Sequence, residues 1–90
     1  MARPQPIAQM TLAQYLAHEA GSEVRHEFLD GTVVAMAGGT PEHGALAAAI
    51  ARDLGNALLG RPCRVFSSDV RVQIEATRLT TYPDLSVVCE

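Results

Sequence analysis

The segment RHEFLDGTVVAMA, residues 25–37, constrains the fold more than any other part of the sequence. An Asp-Gly pair between two apolar runs is the strongest short signal for a β-hairpin. A two-residue loop at Asp30-Gly31 pairs Glu27 with Val34 across the hairpin. Because side chains alternate along a strand, Glu27 then shares its sheet face with the apolar residues Leu29 and Val34.

Glu27 has two interpretations on such a face, and the sequence leaves both open. It is a buried acid that binds a metal or has a shifted pKa, or it forms an ion pair with Arg25 or Arg71. The first interpretation predicts a functional site, whereas the second predicts only structure.

The other local signals predict one α+β domain. Thr11 and Gln14 fit a capping box that starts a helix, which Gly21 ends. Thr40-Pro41 fits an N-cap and first turn of a second helix, running to about Leu59. We interpret residues 1–9 as a flexible leader and residues 10–90 as the domain. The segments CRVFSSDVRVQIE, one strand or two with a break at Ser67-Ser68, and PDLSVVC contain the remaining strands.

Asp84 stands at the start of the last predicted strand, where proline is tolerated just before it. It is either a site carboxylate or an aspartate that bonds nearby backbone. Asp69 lies on the polar side of its strand, which favours a solvated position unless the Ser67-Ser68 break turns it inward. His43 falls in the first turn of the second helix, within its apolar stripe, and is either a core histidine or a residue that reaches a cleft.

The composition limits the classes of function. The formal charge is −3 and the chain has no lysine, so no general attraction for nucleic acid is expected. A nuclease is still allowed, because a metal-carboxylate site is acidic before the metal binds. No apolar run reaches the length of a membrane span, and the first residues do not resemble a signal peptide. We therefore expect a cytoplasmic protein in which Cys63 and Cys89 are reduced thiols.

Zinc-binding patterns are not predicted. Cys63 and Cys89 have no partners at zinc spacing. The dipeptide His-Glu occurs at 18–19 and at 26–27, but not with the spacing that places two histidines on one helical face.

Four segments in order resemble the Uma family of restriction endonucleases, within the PD-(D/E)XK nuclease superfamily. They are MTLAQYLAHE, RHEFLDGTVVAMAGGTPEH, GRPCRVFSSDVRV and YPDLSVVC. The resemblance implies a mixed β-sheet flanked by helices and a Mg²⁺ site that hydrolyses phosphodiester bonds in DNA. It implies that Asp84 is the metal ligand of the PD motif and that Glu27 is a supporting catalytic acid. It makes Asp69, His43 and Arg71 neighbours of that site.

The sequence departs from the family pattern in its last part. Similar proteins continue into a further strand with a second acid, and they carry a lysine that this chain does not contain. We therefore expect the N-terminal half of a nuclease domain, truncated before the second half of the core, with an incomplete site. Whether the chain is an enzyme stays open. The competing interpretations are an inactive interaction module that forms homo-oligomers through its C-terminal edge strand, and an unfolded remnant.

Overall fold

The computed structural model describes residues 6–36 and 38–90, which fold into two compact units, 6–36 with 71–82 and 38–70 with 83–90. The predicted α+β class is confirmed. Neither helix in the described ranges has the combined length and apolarity that crossing a membrane requires. The elements are β1 (Pro6–Gln9), α1 (Leu12–Ala20), β2 (His26–Leu29), β3 (Thr32–Ala35), α2 (Pro41–Ala57), β4 (Cys63–Ser67), β5 (Val72–Ile74), β6 (Leu79–Thr81) and β7 (Leu85–Cys89).

The first unit contains a five-stranded sheet in the order β1-β3-β2-β6-β5, with antiparallel neighbours. The hairpin prediction is confirmed, since Glu27 pairs with Val34 and Leu29 pairs with Thr32. Asp30 and Gly31 both have positive φ, 45° and 99°. That combination is typical of the two-residue hairpin turn that matches strand twist, and the second position favours glycine.

Helix α1 provides the central side chain of this unit. Its predicted capping box is present, with Gln14 N–H donating to Thr11 Oγ1 and Thr11 N–H donating to Gln14 Oε1. The fully buried Tyr15 packs against Phe28 and Val33, and its ring centroid lies 5.1 Å from that of Phe28. The Tyr15 hydroxyl donates a buried hydrogen bond of 2.6 Å to the carbonyl oxygen of His26. The helix is therefore joined to the hairpin by apolar packing and by one directed bond.

The predicted flexible leader is wrong for residues 6–9, which form β1, while residues 1–5 lie outside the described residues. β1 pairs antiparallel with β3, and Gln9 Nε2 donates to Thr32 Oγ1 at 2.9 Å. Pro6 is the first residue of an edge strand, a position where the missing N–H of proline costs no ladder bond. The edge of β3 was available for pairing, and no local sequence pattern showed this.

The second unit consists of α2 and the two-stranded antiparallel sheet of β4 and β7. Thr40 caps α2 as predicted, and Pro41 occupies its first turn. No described residue of α2 is buried, and Leu46 and Ile50 of its apolar stripe are 61% and 43% exposed. The hydrophobic side of this helix therefore contributes little to a core within the described chain.

The expectation of reduced thiols is wrong in this structure, because Cys63 and Cys89 form a disulfide. The ladder places the two residues directly opposite each other at one end of β4 and β7. Glu90 N–H also donates to the carbonyl oxygen of Pro62 at 2.8 Å beside that pair. The cysteines are 26 residues apart, so their proximity depends on strand register rather than on local spacing.

Tyr15→Phe is expected to lower the free energy of unfolding by about 1–2 kcal/mol, because it leaves a buried carbonyl without its donor. Burial, reinforced by the charge of Glu19, raises the pKa of Tyr15. The stabilisation from the neutral hydroxyl is present below the unfolded pKa of about 10 and is lost as pH rises above it. Urea titrations at neutral and alkaline pH would measure both effects. Equal midpoints for the two proteins at neutral pH would contradict the assigned bond.

Candidate functional site

Asp84 and His43 come together in the second unit. Asp84 directly precedes β7, and His43 lies in the first turn of α2, where its N–H donates to Thr40 Oγ1. His43 Nε2 is 3.2 Å from Asp84 Oδ2, and the side chains are 49% and 67% exposed. The N-cap that starts α2 thus sets the position of His43 opposite the carboxylate.

This pair offers one carboxylate and one imidazole to a ligand. The exposed Asp84 carboxylate can accept a metal, since Mg²⁺ binds through one or two carboxylates and keeps several waters. His43 can donate a hydrogen bond that orients the carboxylate, which is the usual role of a group behind a metal ligand. Two protein groups by themselves leave most positions around such an ion to water or substrate.

Asp69 belongs to a local turn that follows β4. Its N–H donates to Ser67 Oγ at 3.2 Å, and Ser67 Oγ donates to Asp69 Oδ2 at 3.3 Å. The Ser67-Ser68 break is present, because β4 ends at Ser67 and β5 begins at Val72 in a different sheet. Through these bonds Asp69 stabilises the turn. Its position beside the site stays a prediction.

Glu27 lies in the first unit, on the sheet face opposite the core. His26 and Phe28 on either side of it are buried, whereas Leu29 on its own face is 53% exposed. Its Oε2 accepts a hydrogen bond of 2.6 Å from Thr81 Oγ1 on the neighbouring strand β6. The sheet face that contains Glu27 and Leu29 is therefore partly exposed to solvent, whereas an apolar, buried face was expected. Arg71 is exposed next to β5 in this unit. The supporting catalytic role of Glu27 and the position of Arg71 beside the site stay predictions.

A cluster of His18, Glu19 and His26 was missed by the sequence analysis. His18 and Glu19 lie in the last turn of α1, and His26 is the first residue of β2. One ligand atom from each residue lies within 4.8 Å of the others. The two His-Glu dipeptides were the available signal. The spacing rule for two histidines applies to one continuous helix, whereas here a short connection brings one dipeptide against the other.

A cleft of about 550 Å³ in the first unit does not coincide with these groups. It is lined mainly by residues around the hairpin turn and β5, including Met10, Phe28, Ile74 and Arg78. Arg78 Nη1 pairs with Asp30 Oδ1 at 3.2 Å at this cleft. None of the predicted site residues within the described ranges lines it, so cleft volume does not identify the site.

Asp84→Asn and His43→Ala are each expected to change the free energy of unfolding by less than about 0.5 kcal/mol. An exposed ion pair is screened by water and contributes little to stability. Chemical denaturation of both variants beside the wild-type chain would measure this. A loss of several times that size would mean that the pair is structural, and would remove the two variants as clean probes of function.

Comparisons with known proteins identify a family for this chain. A family described as "Putative restriction endonuclease", Uma2, matches residues 12–90. The chain is 33% identical over 85 residues to "Uncharacterized protein slr1290" of Synechocystis sp. (strain ATCC 27184 / PCC 6803 / Kazusa), covering 94% of this chain and 45% of that protein. It is 31% identical over 81 residues to "Uncharacterized protein sll1609" of the same organism, covering 90% and 46%.

The chain thus spans about half the length of the curated relatives it matches. No solved structure matches it significantly. The family match runs through both units, including α1, the hairpin, α2 and the strand after Asp84. The chain therefore belongs to the Uma2 family of the restriction endonuclease-like superfamily.

Proposed function

We propose that this chain is part of a metal-dependent nuclease that hydrolyses phosphodiester bonds in DNA, with Asp84 as a ligand of Mg²⁺. The observation that carries the proposal is the Uma2 match over residues 12–90, which includes the segment YPDLSVVC. The exposed position of Asp84 at the start of β7 supports it, since a metal and a DNA strand need access to the carboxylate. A family of this type usually depends on a metal.

The donor chemistry of Asp84 fits Mg²⁺, which prefers carboxylate oxygens to imidazole nitrogens. When bound, the ion would supply charge at the phosphoryl oxygen and a lower pKa for the attacking water. Asp84 would hold it. His43, already 3.2 Å from Oδ2, would keep that carboxylate oriented. From the family resemblance we assign Glu27 a supporting catalytic role, and we keep Asp69 and Arg71 as proposed neighbours.

The 90 residues by themselves are not expected to cleave DNA. They contain no lysine, and Asp84 of the PD motif is the one carboxylate that we assign as a metal ligand. A bound Mg²⁺ needs further ligands before its water and the phosphate are held in line. We therefore propose nuclease activity on DNA for the whole protein. The described residues would contribute part of its site.

Metal binding at Asp84 can be tested by nuclear magnetic resonance with Mn²⁺, a paramagnetic substitute for Mg²⁺. We expect the amide signals of residues 42–44 and 84–86 to broaden first, because they surround the pair of His43 and Asp84. Asp84→Asn should abolish this broadening, while His43→Ala should weaken it. Broadening that is unchanged in Asp84→Asn would contradict the assignment of this carboxylate as the ligand.

Plasmid nicking in Mg²⁺ or Mn²⁺ is the matching test of activity. The isolated wild-type chain should leave supercoiled plasmid intact. Nicking that depends on metal and disappears in Asp84→Asn would support the nuclease and show that these residues suffice. Nicking that survives in Asp84→Asn would indicate a contaminating enzyme.

A second candidate is an inactive interaction module that pairs through β7. Within the described residues β7 pairs only with β4, and Val87 and Val88 are 43% and 54% exposed. A strand with a free edge and exposed apolar side chains is a template for pairing with another chain. This observation favours a homo-oligomer, independently of any nuclease activity.

The edge predicts that the 90-residue chain dimerises or aggregates as its concentration rises. Val87→Lys and Val88→Lys place a charge on opposite faces of β7, because successive side chains alternate. Sedimentation velocity over a range of concentrations would show whether either variant shifts the chain towards monomer. A wild-type chain that stays monomeric throughout would contradict the edge-pairing model.

A cytoplasmic location is part of the nuclease proposal, because its substrate would be found there.

A further inference from the structure

We propose that His18, Glu19 and His26 form a binding site for a divalent transition metal of the Zn²⁺ class. The site joins the last turn of α1 to the start of β2 and does not depend on the proposed nuclease function. Two imidazoles and one carboxylate are a common ligand set for Zn²⁺, with a water completing the shell. Imidazole ligands favour zinc, cobalt and nickel, whereas Mg²⁺ prefers oxygen ligands.

The distances suit such an ion. His26 Nδ1 lies 3.3 Å from Glu19 Oε2. Ligand atoms in a tetrahedral zinc site with bonds of about 2.1 Å stand about 3.4 Å apart, so this pair is already close to the required separation. The third ligand atom, from His18, lies within 4.8 Å of the other two. His18 is exposed, so its ring is free to change rotamer towards the other two ligands without moving the core.

The two buried ligands are held in place before any metal arrives. His26 and Glu19 are 5% and 8% exposed. His26 N–H donates to Glu19 Oε1 at 2.9 Å, and the His26 carbonyl oxygen accepts from Tyr15. Fixed ligands lose little conformational freedom when they bind, which favours affinity. The neighbouring ring of His18 meets that of His26 edge-on, with centroids 5.0 Å apart.

One buried oxygen accepts no hydrogen bond. Glu19 Oε2 is inaccessible to solvent, and the polar group that faces it within the described residues is His26 Nδ1 at 3.3 Å, which also lies 3.4 Å from Glu19 Oε1. Two lone pairs cannot face each other at this distance without a proton or a cation between them. A buried carboxylate oxygen left in this state is costly, and a divalent ion would satisfy it.

The position in the fold also favours a cation. The C-terminal turn of a helix carries partial negative charge from the aligned peptide dipoles, and His18 and Glu19 lie in that turn of α1. A metal there would cross-link helix and hairpin beside the Tyr15 core. Because an ion bound to the folded state stabilises it, Zn²⁺ should raise the thermal midpoint of the chain.

The competing explanation is a buried structural pair in which a proton occupies the place of the metal. That pair consists of Glu19 and His26 and does not require the exposed His18. The contribution of His18 to metal binding therefore separates the two explanations.

The test uses tag-free chain with the disulfide intact, titrated with Co²⁺ as a visible probe and then with Zn²⁺ in competition. We expect one ion per chain, with the d–d absorption typical of nitrogen and oxygen ligands. His18→Ala should weaken Co²⁺ binding by about tenfold or more while leaving the circular dichroism spectrum unchanged. Glu19→Gln keeps the shape of the buried side chain but removes its charge, and should weaken binding in the same way.

Glu75→Gln is the matched control, because it removes an exposed carboxylate from the same unit and leaves both the cluster and the Asp84 site intact. It should bind Co²⁺ as the wild-type chain does. Binding that survives His18→Ala, binding that is lost in Glu75→Gln instead, or no one-to-one binding by the wild-type chain would each overturn the proposal. If Glu19→Gln fails to fold, His18→Ala still decides. The Mn²⁺ experiment at Asp84 reports separately on the nuclease proposal.

Discussion

The buried hydrogen bond from the Tyr15 hydroxyl to the His26 carbonyl oxygen is the contact on which the first unit depends. It joins α1 to the first residue of β2, and the ring of Tyr15 packs on Phe28 and Val33 at the same time. A directed bond and apolar packing from one side chain orient the helix on the sheet. The bond also fixes the backbone of His26, which places its imidazole against Glu19.

This arrangement gives the first unit a polar layer next to a very small apolar core. Glu19 and His26 are as well buried as Phe28, so their mutual bonding matters for stability as much as packing does. Either a bound metal or a proton shared between Glu19 and His26 would satisfy the buried polar atoms of this layer. Glu19 and His26 therefore stabilise the fold and also carry ligand atoms that could bind a metal.

The second unit is stabilised differently. Its helix has no buried residue, and its two strands are joined by a disulfide at one end. Asp84 and His43 are exposed there, so changes to them cost little stability and their chemistry remains available to a ligand.

Sequence alone was sufficient wherever the cause is local. The Asp30-Gly31 turn, the capping box of Thr11 and Gln14, and the N-cap at Thr40 each depend on a few neighbouring residues, and all three are confirmed. The resemblance also identified the family, and it named Asp84 and His43, which form an ion pair within the second unit.

Tertiary structure alone decided the features that join distant segments. β1 exists because β3 had a free edge, and the Cys63–Cys89 disulfide exists because strand register sets the two residues opposite each other. Glu27 faces away from the core because Phe28 packs under Tyr15, although the hairpin pattern permitted either face to be buried. The cluster of His18, Glu19 and His26 forms only when the chain turns back after α1. Alternation and capping act over a few residues, whereas these contacts require the packing of whole elements, which no short pattern encodes.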